Sequence, residues 1–311
     1  MSGLPEAKPV WRVHIRAERA ARAVFTACAS TTVFALGAVT LYMMISGLPA
    51  LWKVGWKEIL FGTVWKPVGA EPRYGIFYVI LTSVLGTGMA VLIGAALGIL
   101  TAVFLAEAAE KRAAAVVRSA VELLAGIPSV IYGLLGINLL NPLLYRLELK
   151  VFAGSETHQF TGGANLLSAV IVLAIMILPT VISISESAIR QVDPGIKAAS
   201  LALGASPVQT IFRAVLPAAR SGIATAVVLG AGRAIGEATA IALVSGNCVN
   251  PPFPFRSVRF LTTAIVGEMG YAQGLHRQML FTVGLILFVF IMILNIGLRR
   301  TLKKREAKAY D

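Results

Sequence analysis

The sequence has 311 residues, of which 57% are hydrophobic and 14% are charged, with a mean hydropathy of +0.79. A soluble domain carries roughly 25% charged residues, so this composition excludes an ordinary soluble protein and indicates a membrane protein. The formal net charge of +13 would suggest nucleic-acid binding in a soluble protein, but here the basic residues cluster beside apolar segments, and we expect no nucleic-acid partner.

Six apolar segments of the chain are long enough to cross a bilayer, which takes about 20 helical residues. They predict an all-α membrane protein with spans at residues 24–45, 74–105, 120–140, 165–184, 222–245 and 279–298. The basic tail at 1–23 is expected to form an amphipathic helix at the membrane surface, and residues 300–311 form a second basic tail. Tryptophans and prolines within 46–74 predict an external loop with interfacial aromatic anchors.

Small residues and prolines mark details of these spans. From Gly86 to Gly98, small residues recur at four-residue intervals, which predicts a face for close packing between helices. Pro128 is expected to kink or break the third span. Lysine and arginine are more numerous on the side that holds both tails and the loop 186–220, so the positive-inside rule predicts that both termini are cytoplasmic.

The loop 186–220 carries two helix-start signals on either side of a glycine. Asp193 and Ser206 are each followed by proline, which suits an N-cap with proline at the first helical position. Gln209 completes a capping box with Ser206, and Gly204 fits the left-handed residue that ends a helix. The pattern predicts two short helices joined by a glycine turn, each with an apolar face for another protein.

The fifth predicted span contains two ionisable residues, Arg233 and Glu237, four positions apart and therefore expected on one helical face. An ionisable side chain near the bilayer centre costs at least about 2.5–3.5 kcal/mol, so the pair requires a partner or a purpose. One interpretation is that the two residues neutralise each other and hold helices together. The other is that Arg233 attracts a crossing oxyanion while Glu237 prevents overly tight binding. Gly230, Gly232 and Gly236 favour close helix approach and leave room for such a path.

The segment IKAASLALGASPVQTIFRAVLPAARSGI at 196–223 resembles the EAA loop of ABC-importer permeases, whose pattern is E-A-A-x-x-x-G followed by an ending like I-x-L-P. Lysine occupies the position of the glutamate. In that family the loop forms coupling helices that dock into a groove of the ATP-hydrolysing subunit, whereas the alternative is an ordinary connecting loop. The residues to which the resemblance assigns the coupling role are Lys197, Ala198, Ala199, Gly204, Ala205, Ser206 and Pro207.

Three further segments resemble PstC-type permeases of bacterial phosphate importers. They are GRAIGEATAIALVSGN at 232–247, LLAGIPSVIYGLLG at 123–136 and YGIFYVILTS at 74–83. The resemblance implies a type I ABC-importer fold with its permease core at 74–299, preceded by a first helix and external loop at 24–73. It also implies transport of inorganic phosphate, with Arg233 and Glu237 as the charged pair of the translocation pathway.

The partners implied by this resemblance are an ATP-binding subunit, a second permease of the PstA type forming a heterodimer, and an extracytoplasmic phosphate-binding protein. The chain has no G-x-x-x-x-G-K-[ST] phosphate loop, so ATP is expected to be bound by the partner subunit. We expect no catalytic residue, metal or cofactor in this chain itself, and a location in the bacterial inner membrane as a multi-pass protein.

Two other functions compete with phosphate transport. A permease for another oxyanion, such as molybdate, tungstate or sulfate, would use the same charges. An intramembrane enzyme would need a motif such as H-E-x-x-H at membrane depth, and all three histidines lie outside the predicted spans. A passive channel would leave the capped loop without a task.

Overall fold

The computed structural model describes residues 10–307, so residues 1–9 and 308–311 of the two predicted tails lie outside it. Within these described residues, six helical segments are long and apolar enough to cross a membrane, as predicted. The helices are α1 (Val10–Val54), α2 (Trp56–Phe61), α3 (Phe77–Val103), α4 (Lys111–Gly126), α5 (Ser129–Leu135), α6 (Asn141–Val151), α7 (Leu166–Arg190), α8 (Pro194–Ala202), α9 (Pro207–Thr210), α10 (Leu216–Gly236), α11 (Thr239–Val244), α12 (Leu261–Glu268) and α13 (Gly274–Ala307). A small antiparallel hairpin pairs β1 (Trp65–Lys66) with β2 (Arg73–Tyr74).

The first helix is longer than expected. In the described part of the chain, residues 10–23 continue into the first span as α1 instead of forming a separate surface helix. The predicted loop 46–74 consists mostly of regular secondary structure. Helix α1 runs through Pro49 to Val54, and α2 and the hairpin follow. Residues 246–278, which separate the last two predicted spans, likewise contain α12 and the start of α13.

The third span lies further along the chain than predicted. The segment 107–118 belongs largely to α4, whose Ala114 and Val121 are buried. Pro128 follows the end of α4 and separates it from α5, as expected from its missing N–H. The membrane-spanning segment therefore covers Ser129–Val151 rather than 120–140, because the apolar residues at the end of the amphipathic α4 directly precede those of the span.

In the part of the chain that the structure describes, three π-helical turns connect these elements. They lie at Phe104–Ala108 after α3, at Gly136–Leu140 between α5 and α6, and at Ile211–Val215 between α9 and α10. The last two are each followed by a proline in the first turn of the next helix. Because proline donates no backbone N–H, the regular α-helical ladder is interrupted there.

The centre of the fold is α7, the most buried of the spans. It is flanked by α3 on one side and α10 on the other, and a single valine, Val181, contacts a glycine of each. A Cβ atom added to Gly98 would lie 2.7 Å from Val181 Cγ1, and one added to Gly230 would lie 3.0 Å from Val181 Cγ2. A Cβ at Gly94 would lie 2.6 Å from Ile177. The small-residue face predicted on the second span therefore exists, and it packs against α7.

The first span, α1, packs against the last, α13. Thr282 of α13 donates a hydrogen bond to the Gly47 carbonyl of α1 at 2.8 Å, and the rings of Tyr42 and Phe281 pack edge to face with centroids 5.4 Å apart. A buried carboxylate, Glu268 of α12, connects α12 to the hairpin and to α13. It accepts hydrogen bonds from Trp65 of the hairpin, from His276 of α13 and from Arg259.

Candidate functional site

The capped loop has the local geometry predicted from its sequence. The Asp193 carboxylate accepts a hydrogen bond from the Gly195 N–H at 2.8 Å and so caps α8. Ser206 and Gln209 form the reciprocal capping box at the start of α9, with distances of 3.2 and 3.0 Å. Gly204 has φ +84°, a left-handed conformation that favours glycine. These local signals fix the direction of both short helices.

The apolar side chains of this loop are exposed. Leu203 is 90% exposed, Val208 63% and Phe212 53%, and none of the residues of α8 is buried. Soluble surfaces seldom carry three large apolar side chains this close in sequence unless a partner covers them. The loop therefore presents an apolar surface at one end of the molecule.

The entry to the loop is fixed by an ion-pair cluster. Glu186 near the end of α7 accepts from Arg118 of α4 at 2.7 Å and from Arg190 at 2.9 Å. Arg190 also donates to the Leu105 carbonyl at 2.8 Å. The Glu186 carboxylate thus joins α4 to α7 directly beside the loop, and Arg190 links α7 to the π turn after α3.

The remaining residues that the resemblance assigned to coupling lie at the surface of the loop. Ala198, Ala199 and Pro207 are exposed and Ala205 is partly buried. Lys197, which replaces the glutamate of the pattern, forms an ion pair with Glu107 in the π turn after α3. No local sequence pattern identifies this partner, because Glu107 lies 90 residues away.

Arg233 lies in the last turn of α10, three residues before the fifth span ends at Gly236. Its side chain is partly buried, and its Nη1 lies 3.4 Å from the hydroxyl of Thr180 on α7. At that distance the hydrogen bond is weak. A guanidinium has five N–H donors, and this is the one side-chain hydrogen bond it donates among the described residues. Arg233 therefore retains donors for an additional acceptor.

Glu237 is not on the same helix as Arg233, contrary to expectation. Helix α10 ends at Gly236, and Glu237 has an extended backbone with ψ 126°. Its carboxylate accepts from the Ala240 N–H at 2.9 Å, and so caps α11. Its carbonyl accepts from the Thr262 hydroxyl at 2.8 Å. Within the described side chains no ion pair joins Arg233 to Glu237, so the structure gives no support to mutual neutralisation.

The break after Gly236 places non-helical backbone inside a predicted span. Such backbone is tolerated at membrane depth where it is covered by protein or lines a water-filled cavity, and broken helices are a recurring device at transport sites. Thr180 and Thr262, which contact the two sides of this break, were missed by sequence reasoning. Neither residue belongs to a recognisable motif, and only their long-range contacts identify them.

The three glycines beside Arg233 differ in their surroundings. Gly230 is a close-approach position, packed against Val181. Gly232 and Gly236 do not approach another helix, because a Cβ added to either would meet no atom within 4 Å in the described structure. Together with Leu229, which is 51% exposed, they form an open face of α10 beside Arg233.

Comparisons with known proteins agree with this architecture. The family described as binding-protein-dependent transport system inner membrane component matches residues 94–306. The probable ABC transporter permease protein YqgH of Bacillus subtilis is 38% identical over 283 residues, covering 88% of each chain. The phosphate transport system permease protein PstC of Haemophilus influenzae is 32% identical over 282 residues, covering 87% of this chain and 88% of the relative.

Solved structures show the same fold. A bacterial ABC transporter involved in the import of the acidic polysaccharide alginate has a chain with a TM-score of 0.61 and 18% identity, covering 94% of this chain and 99% of that one. The MetNI methionine ABC transporter has a chain with a TM-score of 0.54 and 21% identity, covering 73% of this chain and 94% of that one.

Proposed function

The chain belongs to the family of binding-protein-dependent transport system inner membrane components, and from this premise we propose that it conducts inorganic phosphate across the membrane as one permease subunit of an ATP-driven importer. It is a multi-pass inner-membrane protein and not itself an enzyme. Permeases of this family work with an ATPase and a substrate-binding protein, and these two partners are therefore expected in the complex.

The observation that carries the proposal is the partly buried arginine beside a break in the fifth span. Arg233 has donors left after its weak contact with Thr180, and a guanidinium matches the planar pairs of oxygens that an oxyanion presents. Glu237 lies just past the break, where capping of α11 holds its carboxylate in place. The negative charge limits how tightly an anion binds near Arg233, so that the anion can leave again.

The capped loop supports coupling to a separate ATPase. Its exposed apolar residues Leu203, Val208 and Phe212 supply a surface for docking. Helix α9, the π turn after it and α10 form one continuous helical segment, Pro207–Gly236, that ends beside Arg233. A displacement of the loop by the ATPase would therefore be transmitted along one helix to the candidate phosphate contact.

A second permease subunit of the PstA type would complete the path. The open face of α10 at Gly232 and Gly236 and the exposed Leu229 lie beside Arg233 and are suited to a facing helix. We place both termini and the capped loop in the cytoplasm on the basis of the distribution of lysine and arginine. The substrate-binding protein would then act at the hairpin end.

Substitution of the arginine tests the proposal. In the assembled complex, Arg233→Gln is expected to lower ATP-driven uptake of radiolabelled phosphate by about tenfold or more, corresponding to ~1.4 kcal/mol or more of lost stabilisation. Arg233→Lys should retain part of the uptake, because it keeps the charge without the planar fork. The yield of purified complex shows whether the variants assemble.

The matched control is Arg146→Gln, which removes an exposed arginine of α6 that has no ion pair among the described residues. It should leave uptake unchanged. Normal phosphate uptake by Arg233→Gln would overturn the role of the arginine. Uptake of molybdate, tungstate or sulfate in place of phosphate by the unsubstituted complex would overturn the proposed substrate.

A further inference from the structure

Helix α8 is held in place by few contacts. None of its residues is buried, so burial of apolar surface does not hold it. Its polar contacts in the described structure are the Asp193 cap, a 3.0 Å hydrogen bond between the hydroxyls of Ser200 and Thr210, and the ion pair of Lys197 with Glu107. The first two lie within the loop itself. The ion pair is the one that reaches a different part of the fold.

An unpaired negative charge on Glu107 would be energetically unfavourable, because this side chain is largely buried. Its side chain is only 9% exposed, whereas that of Lys197 is 46% exposed. A carboxylate removed from water is costly unless a cation or hydrogen-bond donors compensate it. Among the described side chains Lys197 is its ion-pair partner, so α8 supplies the compensating charge for the end of the second span.

The π turn that contains Glu107 connects to the rest of the fold. The Leu105 carbonyl in this turn accepts a hydrogen bond from Arg190 at the end of α7. Further along, Val181 of α7 lies against glycines of both α3 and α10, at positions 98 and 230. A movement of this turn is therefore shared by α3, α7 and α10, because close-packed helices move together rather than deform.

We propose that the Lys197–Glu107 ion pair positions α8 against α3, so that a push on the loop moves α3 and α7 together with α10. This inference rests on the proposed function of the loop in coupling. Lys197 is then a positioning residue. It stands where the loop pattern has a glutamate, and it connects α8 to a membrane helix of its own chain.

A charge swap in the full complex tests this pair. Lys197→Glu and Glu107→Lys place like charges opposite each other, and each is expected to lower ATP-driven phosphate uptake by about fivefold while raising the ATP hydrolysed per phosphate transported. The double variant K197E/E107K restores opposite charges and should return both quantities to within about twofold of the original. Loss of folding alone would lower the yield of complex without changing the ratio of ATP to phosphate.

The matched control is Glu110→Lys, the same change of charge at an exposed residue three positions from Glu107 with no ion pair among the described residues. It should leave uptake and the ATP ratio unchanged. Normal uptake and ATP ratio in both single variants, or a double variant no better than the single ones, would overturn the pairing. If the unsubstituted complex carries another oxyanion, the proposed substrate fails, and the same comparison with that oxyanion still decides the ion pair.

Discussion

At the scale of single residues, Arg233 and Glu237 have separate surroundings although they are four positions apart. Arg233 lies on α10 and contacts Thr180 of α7. Glu237 caps α11 through the Ala240 N–H and is held at its carbonyl by Thr262. Glu237 therefore has a structural task in addition to its charge, and the two contributions can be separated by substitution.

Two substitutions of Glu237 make this separation. Glu237→Gln keeps an oxygen that accepts from the Ala240 N–H but removes the charge, so we expect a stable complex that binds phosphate more tightly and turns over more slowly. Glu237→Ala removes the cap as well and should lower the stability by about 1 kcal/mol. Uptake kinetics and thermal unfolding of the purified complex measure the two effects. Equal behaviour of both variants in both assays would contradict a separate capping role.

At the scale of helices, the fold depends on glycines that let α3 and α10 approach α7. The helix α3 has both kinds of glycine position. Gly98 faces Val181 at close range, whereas a Cβ added to Gly88 would meet no atom within 4 Å in the described structure. The same substitution should therefore destabilise the fold at position 98 and leave its stability unchanged at position 88.

Gly98→Val forces a branched side chain into the contact with Val181, where even a Cβ atom would lie only 2.7 Å from Val181 Cγ1. Overpacking of this kind costs about 1–3 kcal/mol, and we expect a lower yield of folded permease and a lower unfolding temperature. Gly88→Val serves as the control and should leave both unchanged. Similar losses at both positions would show that the close contact is not what makes glycine necessary at position 98.

At the scale of the whole molecule, the two ends differ in character. One end carries the capped loop with its exposed apolar residues and the Arg118–Glu186–Arg190 cluster. The other carries the hairpin, α12 and the buried Glu268 with its three donors. The proposed topology places the first end in the cytoplasm.

Cysteine labelling tests this topology. In a chain whose two natural cysteines, Cys28 and Cys248, are replaced by alanine, Leu203→Cys should react with an impermeant thiol reagent only from the cytoplasmic side. Val68→Cys, in the turn of the hairpin, should react only from outside. Both positions are well exposed in the isolated chain, at 90% and 71%, so the membrane alone sets access when the permease is expressed without the ATPase and the substrate-binding protein. The reverse labelling pattern would show that the protein has the opposite orientation in the membrane.

Local chemistry accounts for most of what the sequence alone determined. The number of spans, the small-residue face of the second span, the break at Pro128 and the caps around Gly204 each depend on residues within a few positions of one another. The resemblance to phosphate permeases also depended on contiguous segments. The exact bounds of the third span were wrong, because hydropathy does not separate the amphipathic α4 from the span that follows it.

The tertiary structure alone decided which residues meet. The break of the fifth span at Glu237 is held by Thr262, 25 residues away, and the partner of Lys197 is 90 residues away. Val181 lies between glycines of two different helices. Helix propensity favoured a continuous helix through Glu237, and the capping of α11 together with the Thr262 hydrogen bond outweighed it. Such contacts arise from the packing of distant segments, which no local pattern of residues encodes.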